Sequence, residues 1–103
     1  MDGENCPYGK SEAEALIKQC VKNGRIVFTK HFREELANEH LEVGDVHNVL
    51  RHGRVNNPPE CDAYQRWNYR IEGREPEGKM MAIVFAFGED DLGILITIFG
   101  IRK

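Results

Sequence analysis

The clearest hydrophobic pattern lies in the last third of the chain. Trp67, Tyr69 and Ile71 alternate with Asn68, Arg70 and Glu72. This period of two marks a strand over residues 67–73 with one buried and one wet face. Residues 79–87 and 93–100 are almost continuously apolar. They predict two more strands, each central in a sheet or covered on both faces. The segments between them, 74–78 and 88–92, are charged and turn-rich. Connections this short favour antiparallel neighbours, because a parallel pair needs a long crossover. An antiparallel meander follows, and the upstream chain must supply its cover.

Upstream, Ser11 and Glu14 match a capping box and predict a helix over 12–23. Its apolar face is Ala13, Leu16, Ile17, Cys20 and Val21, and Gly24 stops it. Residues 25–29 form a strand or an extended link. Phe32 and Leu36, four apart, are the only apolar stripe of a second helix that begins near Thr29 and breaks at 40–44. A third helix over 45–52 buries Val46, Val49 and Leu50 and ends at Gly53. Residues 54–56 suit an edge strand. Pro58 and Pro59 remove two donors and fix two φ angles, so 57–63 is expected to be irregular. Residues 1–10 show no period and read as a flexible arm before a single domain, 11–103. The fold class expected is α+β, an antiparallel sheet of three to five strands with helices on one face.

A length of 103 residues suits one domain with one modest core. No apolar run approaches the roughly 18 residues of a membrane span, and no basic-then-apolar leader opens the chain. A cytoplasmic protein with no membrane partner is expected. Cys6, Cys20 and Cys61 lack CxxC spacing, and the chain has no HxxxH or HExxH pair. A disulfide framework, a metal site and a cofactor are therefore not expected. The net charge is −3, so any phosphate-binding surface must be a local patch. Residues 1–50 hold six Lys/Arg against nine Asp/Glu, while residues 51–103 hold eight of each, which points to the second half.

Within that half, Arg66, Asn68, Arg70 and Glu72 share one strand face. Two guanidiniums on one strand face can bracket a phosphate. The competing reading is a solvated face with an Arg70–Glu72 pair or a glutamate partner for Arg66. Tyr69 reads as core, with its hydroxyl bonded at the edge. Thr97 reads mainly as a β-branched strand residue, and Pro58 with Pro59 as a stiff loop.

Arg25 to His31, the segment from Leu41 to Gly53, Tyr69 to Gly73, and the strand from Gly93 to Phe99 together resemble the domain of unknown function 4258. That family is similar in fold to the RelE, BrnT and MqsR toxins of bacterial toxin–antitoxin pairs. The resemblance implies a RelE/MqsR-like fold and a metal-independent endoribonuclease. It also implies RNA as substrate and a cognate antitoxin as partner, and it leaves a homodimer open. The family pattern has a His opening the second helix, matched by His31. The Arg usual four residues later is replaced here by Glu35.

Metal-free RNA cleavage uses the 2′-OH as nucleophile. It needs a base for that hydroxyl, an acid for the 5′-oxygen and cations for the phosphorane charge. Imidazole suits the base. The candidates for catalysis are His31, Arg70 and Arg102, and those for RNA binding are Tyr64, Gln65, Arg66 and Lys103. His31 and Glu35 are also spaced as a helix-surface pair, and His40, His47 and His52 read as helix-surface residues. A binding module without catalysis, for RNA or protein, is the alternative that the acidic balance and Glu35 favour.

Overall fold

The computed structural model describes residues 7–89 and 91–101. In chain order the elements are α1 (Lys10–Asn23), β1 (Arg25–Phe28), α2 (Lys30–Asn38), α3 (Val43–His52), β2 (Arg54–Val55), β3 (Glu60–Cys61), β4 (Trp67–Arg74), β5 (Met80–Phe87) and β6 (Leu92–Gly100). The last three strands form the expected meander. β5 pairs antiparallel with both β4 and β6. The β4–β5 turn closes because Gly78 adopts φ 94°, a backbone conformation open to glycine. The Glu75 carboxylate folds back there to accept the Lys79 N–H at 2.8 Å.

The sheet is larger than expected and mixed. Its six strands run β1-β6-β5-β4-β2, with β3 also paired to β4. β1 lies parallel to β6, Arg25 opposite Leu92 and Phe28 opposite Leu95. The antiparallel expectation came from short connections, and β1 and β6 are joined by most of the chain, so loop length places no constraint on them. β3 corrects the expectation of an irregular 57–63. The two prolines precede Glu60 and Cys61, which are free to pair with Asn68 and Trp67.

The core sits on one face. Tyr69, Ile71, Met81, Ile83, Phe85, Leu95 and Ile98 from the central strands cluster with Ala13, Ile17 and Cys20 of α1, Phe32 and Leu36 of α2, and Val46, Val49 and Leu50 of α3. The intervening residues of β4, Asn68, Arg70 and Glu72, stay outside this cluster, as the period-2 pattern requires.

Helix starts differ from the sequence expectation in an instructive way. α1 begins at Lys10 with Gly9 as N-cap and no side-chain cap. Glu14, expected to cap α1, instead accepts the Val55 N–H at 3.0 Å. That contact satisfies a donor of the short strand β2. Of the arm expected at 1–10, residues 1–6 lie outside the described residues. The Tyr8 N–H donates to the Tyr69 hydroxyl at 2.8 Å, and the Tyr8 ring meets Phe87 edge-on. α3 starts two residues early, at Val43, under a capping box of Glu42 and Asp45.

α2 is anchored by Thr29. Its hydroxyl oxygen accepts the Phe32 N–H, and its O–H is shared between the carbonyls of Leu95 and Ile96, at 2.9 and 3.2 Å. β6 is irregular at this point: Thr97 faces Val84 while Leu95 faces Phe85, which leaves Ile96 as an extra residue. One side chain thus caps α2 and fastens it to the bulge. Thr29→Ala is expected to lower stability by about 1–2 kcal/mol, the range for losing an N-cap. Urea unfolding checks this, and a loss below a few tenths of a kcal/mol would show that the bulge holds without the cap.

Candidate nucleic-acid interface on the uncovered sheet face

The face of the sheet away from the core is built from alternate residues in register. Arg70 lies opposite Val84, and Val84 opposite Thr97. One step along, Glu72 lies opposite Ala82, and Ala82 opposite Phe99. Arg54 of β2 faces Glu72, which places it on the same side. Arg74, two residues beyond Glu72, joins them by strand alternation. The centre of this face is apolar and its β4 side is basic.

Arg70 is the organising cation. Its Cζ lies 5.2 Å from the centroid of the Phe99 ring. Its Nε lies 2.8 Å from Glu72 Oε2. This is an ion pair without the alignment of a hydrogen bond, since Nε is buried and makes none. The other Glu72 oxygen accepts from Asn56 Nδ2 at 3.0 Å. Glu72 therefore fixes the guanidinium over the aromatic ring, and the Arg70 side chain remains 39% exposed. Beside it opens a groove of about 640 Å³, lined by Pro58, Pro59, Asn68, Arg70, Val84 and Phe99 among others. The prolines expected to stiffen a loop form one wall.

Tyr64, Gln65 and Arg66 lie in the turn between β3 and β4. Asp62 builds that turn: its Oδ1 accepts the N–H groups of Tyr64 and Arg66 at 2.9 and 3.0 Å. The N–H bond from Arg66 and that from Tyr64 hold the Asp62 carboxyl below the usual carboxylate range against the opposing effect of burial. Gln65 takes φ 63°, and Tyr64 is 84% exposed at the tip. Arg66 Nε is 3.9 Å from Asp62 Oδ2, so this arginine has an acidic neighbour, as does Arg70. Asn68 Oδ1 is buried without a partner beside the groove. Tyr69 is core, as expected. Burial pushes its phenol up, and the bond from the Tyr8 N–H partly offsets this.

His31 is exposed in the first turn of α2. It does not line the Arg70 groove. α2 packs against β6, two strands from Arg70, a backbone offset of at least about 10 Å at a strand spacing of about 4.8 Å. Arg102 and Lys103 lie outside the described residues. Thr97 is half-buried opposite Val84. Among the described residues, no group of three or more His, Cys, Asp or Glu side chains is placed to hold a metal ion. No described helix is long and apolar enough to cross a membrane.

What sequence reasoning missed is Phe99, taken only as a buried strand residue. Its position relative to the bulge at Ile96 puts it on the open face, and nothing in the sequence marks that bulge. A family match covers most of these elements. The family described as domain of unknown function (DUF4258) matches residues 28–100, and the chain belongs to it. The match spans β1 to β6 apart from three residues of β1, and α1 lies before it. No curated protein and no solved structure matches the chain.

Proposed function

We propose that this protein takes single-stranded RNA on the uncovered sheet face. The observation that carries this reading is the Arg70 guanidinium held over the Phe99 ring at the edge of an open groove. Stacking platforms with nearby cations hold single strands with little sequence preference, at about 1–3 kcal/mol per stacked base. Sheet faces with aromatics are a recurrent solution for unpaired RNA bases. The net charge of −3 makes the attraction local to the β4 side.

Fluorescence anisotropy with a labelled single-stranded RNA tests this. Arg70→Ala is expected to weaken binding about tenfold and to flatten the salt dependence by about 0.7 in log–log slope. Phe99→Ala is expected to weaken it by a similar factor. Failure of the wild type to bind, or unchanged binding in both variants, removes the proposal.

A second reading goes further: a toxin-like, metal-independent endoribonuclease of a toxin–antitoxin pair, with RelE/MqsR-like relatives and a cognate antitoxin. What favours it is the exposed imidazole of His31 on α2; since α2 packs on the core side of β6, this reading requires the RNA to pass round the sheet edge to reach it. In this reading His31 takes the 2′-OH proton, the 2′-oxygen attacks phosphorus, and the P–O5′ bond breaks as the 5′-oxygen takes a proton from water. The products are a 2′,3′-cyclic phosphate and a 5′-hydroxyl. RNA cleavage by purified protein in chelator, compared with His31→Ala, separates the two readings. Tight binding without cleavage, and without growth arrest on expression, leaves the binding module.

A further inference from the structure

A second cationic site lies at the other end of β4. The His52–Gly53–Arg54 junction between α3 and β2 runs against Gly73 of β4. A Cβ on Gly53 would sit 2.5 Å from the Val49 carbonyl oxygen and 2.8 Å from that of Glu72. A Cβ on Gly73 would sit 3.0 Å from Gly53 Cα. Only two facing glycines allow backbones this close. The contact carries His52 and Arg54 to the same pocket as Arg74, a space of about 590 Å³ that also includes Asn48 and Glu72.

The site is fixed from several sides. β2 begins at Arg54, opposite Glu72, so its pairing with β4 stops short of Arg74. Asn48 Nδ2 of α3 donates to the Arg74 carbonyl at 3.2 Å. Arg74 Nη1 donates to the Gly78 carbonyl at 2.8 Å, which holds the guanidinium against the turn. The two carboxylates of the pocket are engaged elsewhere: Glu72 by Arg70 and Asn56, Glu75 by the Lys79 N–H. An imidazole and two guanidiniums line the pocket beside them.

We infer that His52, Arg54 and Arg74 form a phosphate site that holds the backbone of the RNA strand whose bases lie along Phe99. This rests on the RNA reading of the open face. Arg70 and Arg74 are four residues apart on one strand, about 13 Å. At about 3.4 Å per stacked nucleotide this is the length of about four nucleotides. A strand must exceed that length to reach both sites.

The test uses the full chain and single-stranded RNAs of three to ten nucleotides. Arg54→Gln, alone and with His52→Gln, is expected to weaken binding of the ten-nucleotide RNA about fivefold and to lower the salt slope by about 0.7 per lost contact. Binding of the three-nucleotide RNA stays at the wild-type level, whereas Arg70→Ala weakens both lengths. Lys22→Gln, an exposed cation in the last turn of α1, removes the same charge and leaves both lengths unchanged. Equal binding of the long RNA by wild type and the double variant overturns the inference and leaves the RNA reading intact. If the wild type binds no RNA, a titration with inorganic phosphate decides the site alone. Saturable NMR shifts confined to His52, Arg54 and Arg74 keep it as an oxyanion site, and their absence removes it.

Discussion

Phe85→Ala is expected to lower the unfolding free energy by about 4 kcal/mol, within the range for removing a buried aromatic ring. Phe85 is fully buried on β5, the strand flanked by β4 and β6. Its ring meets Phe87 edge-on at 5.2 Å and lies directly over Gly93 of β6. A side chain at Gly93 would collide with the ring tip, so the glycine and the phenylalanine are a matched pair. The bulge at Ile96 lies just beyond this pair, and the cavity left by alanine has strand backbone on one side that cannot collapse into it. Thermal and urea unfolding measure the loss. A change under about 1 kcal/mol would place the centre of the core elsewhere.

Gly53→Ala comes next, with an expected loss of about 3 kcal/mol, the upper end for overpacking a tight contact. The φ of Gly53 is −80°, so its backbone conformation is open to alanine. The effect is steric, against two backbone carbonyls that no rotamer change relieves. Gly44→Ala supplies the opposite sign. Gly44 lies in α3 with open space around it, and alanine there is expected to stabilise the protein by about 0.5–1 kcal/mol through helix propensity. Equal effects of the two substitutions would refute the contact between the α3–β2 junction and β4. Gly53→Ala should also abolish the Arg54 effect on long RNA, because it displaces Arg54 from Arg74.

The sequence made the meander legible because its strands carry their own evidence: the alternation from Trp67 to Glu72, the apolar runs on either side of 88–92, and short polar links. It hid whatever depends on distant partners. The parallel pairing of β1 leaves no mark on Arg25–Phe28 itself. Ser11 and Glu14 have capping-box spacing, yet Glu14 meets Val55, a residue 41 positions away. β3 was obscured because the prolines end one residue before it. The candidate site divided along the same line. Arg70, Asn68 and Glu72 share a face by local geometry, and the carboxylate partner weighed for Arg70 is Glu72. His52, Arg54 and Arg74 meet only through Gly53 and Gly73, and no single-sequence signal joins two glycines twenty residues apart.

The parallel pairing of β1 with β6 also sets an order of events during synthesis. Arg25–Phe28 is made well before its partner strand, which follows every other described element. Until residues 92–100 emerge, β1 has no strand partner, and the bulge that receives Thr29 does not exist. The nascent chain therefore carries Ile26, Phe28, Phe32 and Leu36 without their final cover until β6 is made. This is the type of long-range closure that folds slowly and invites capture by chaperones.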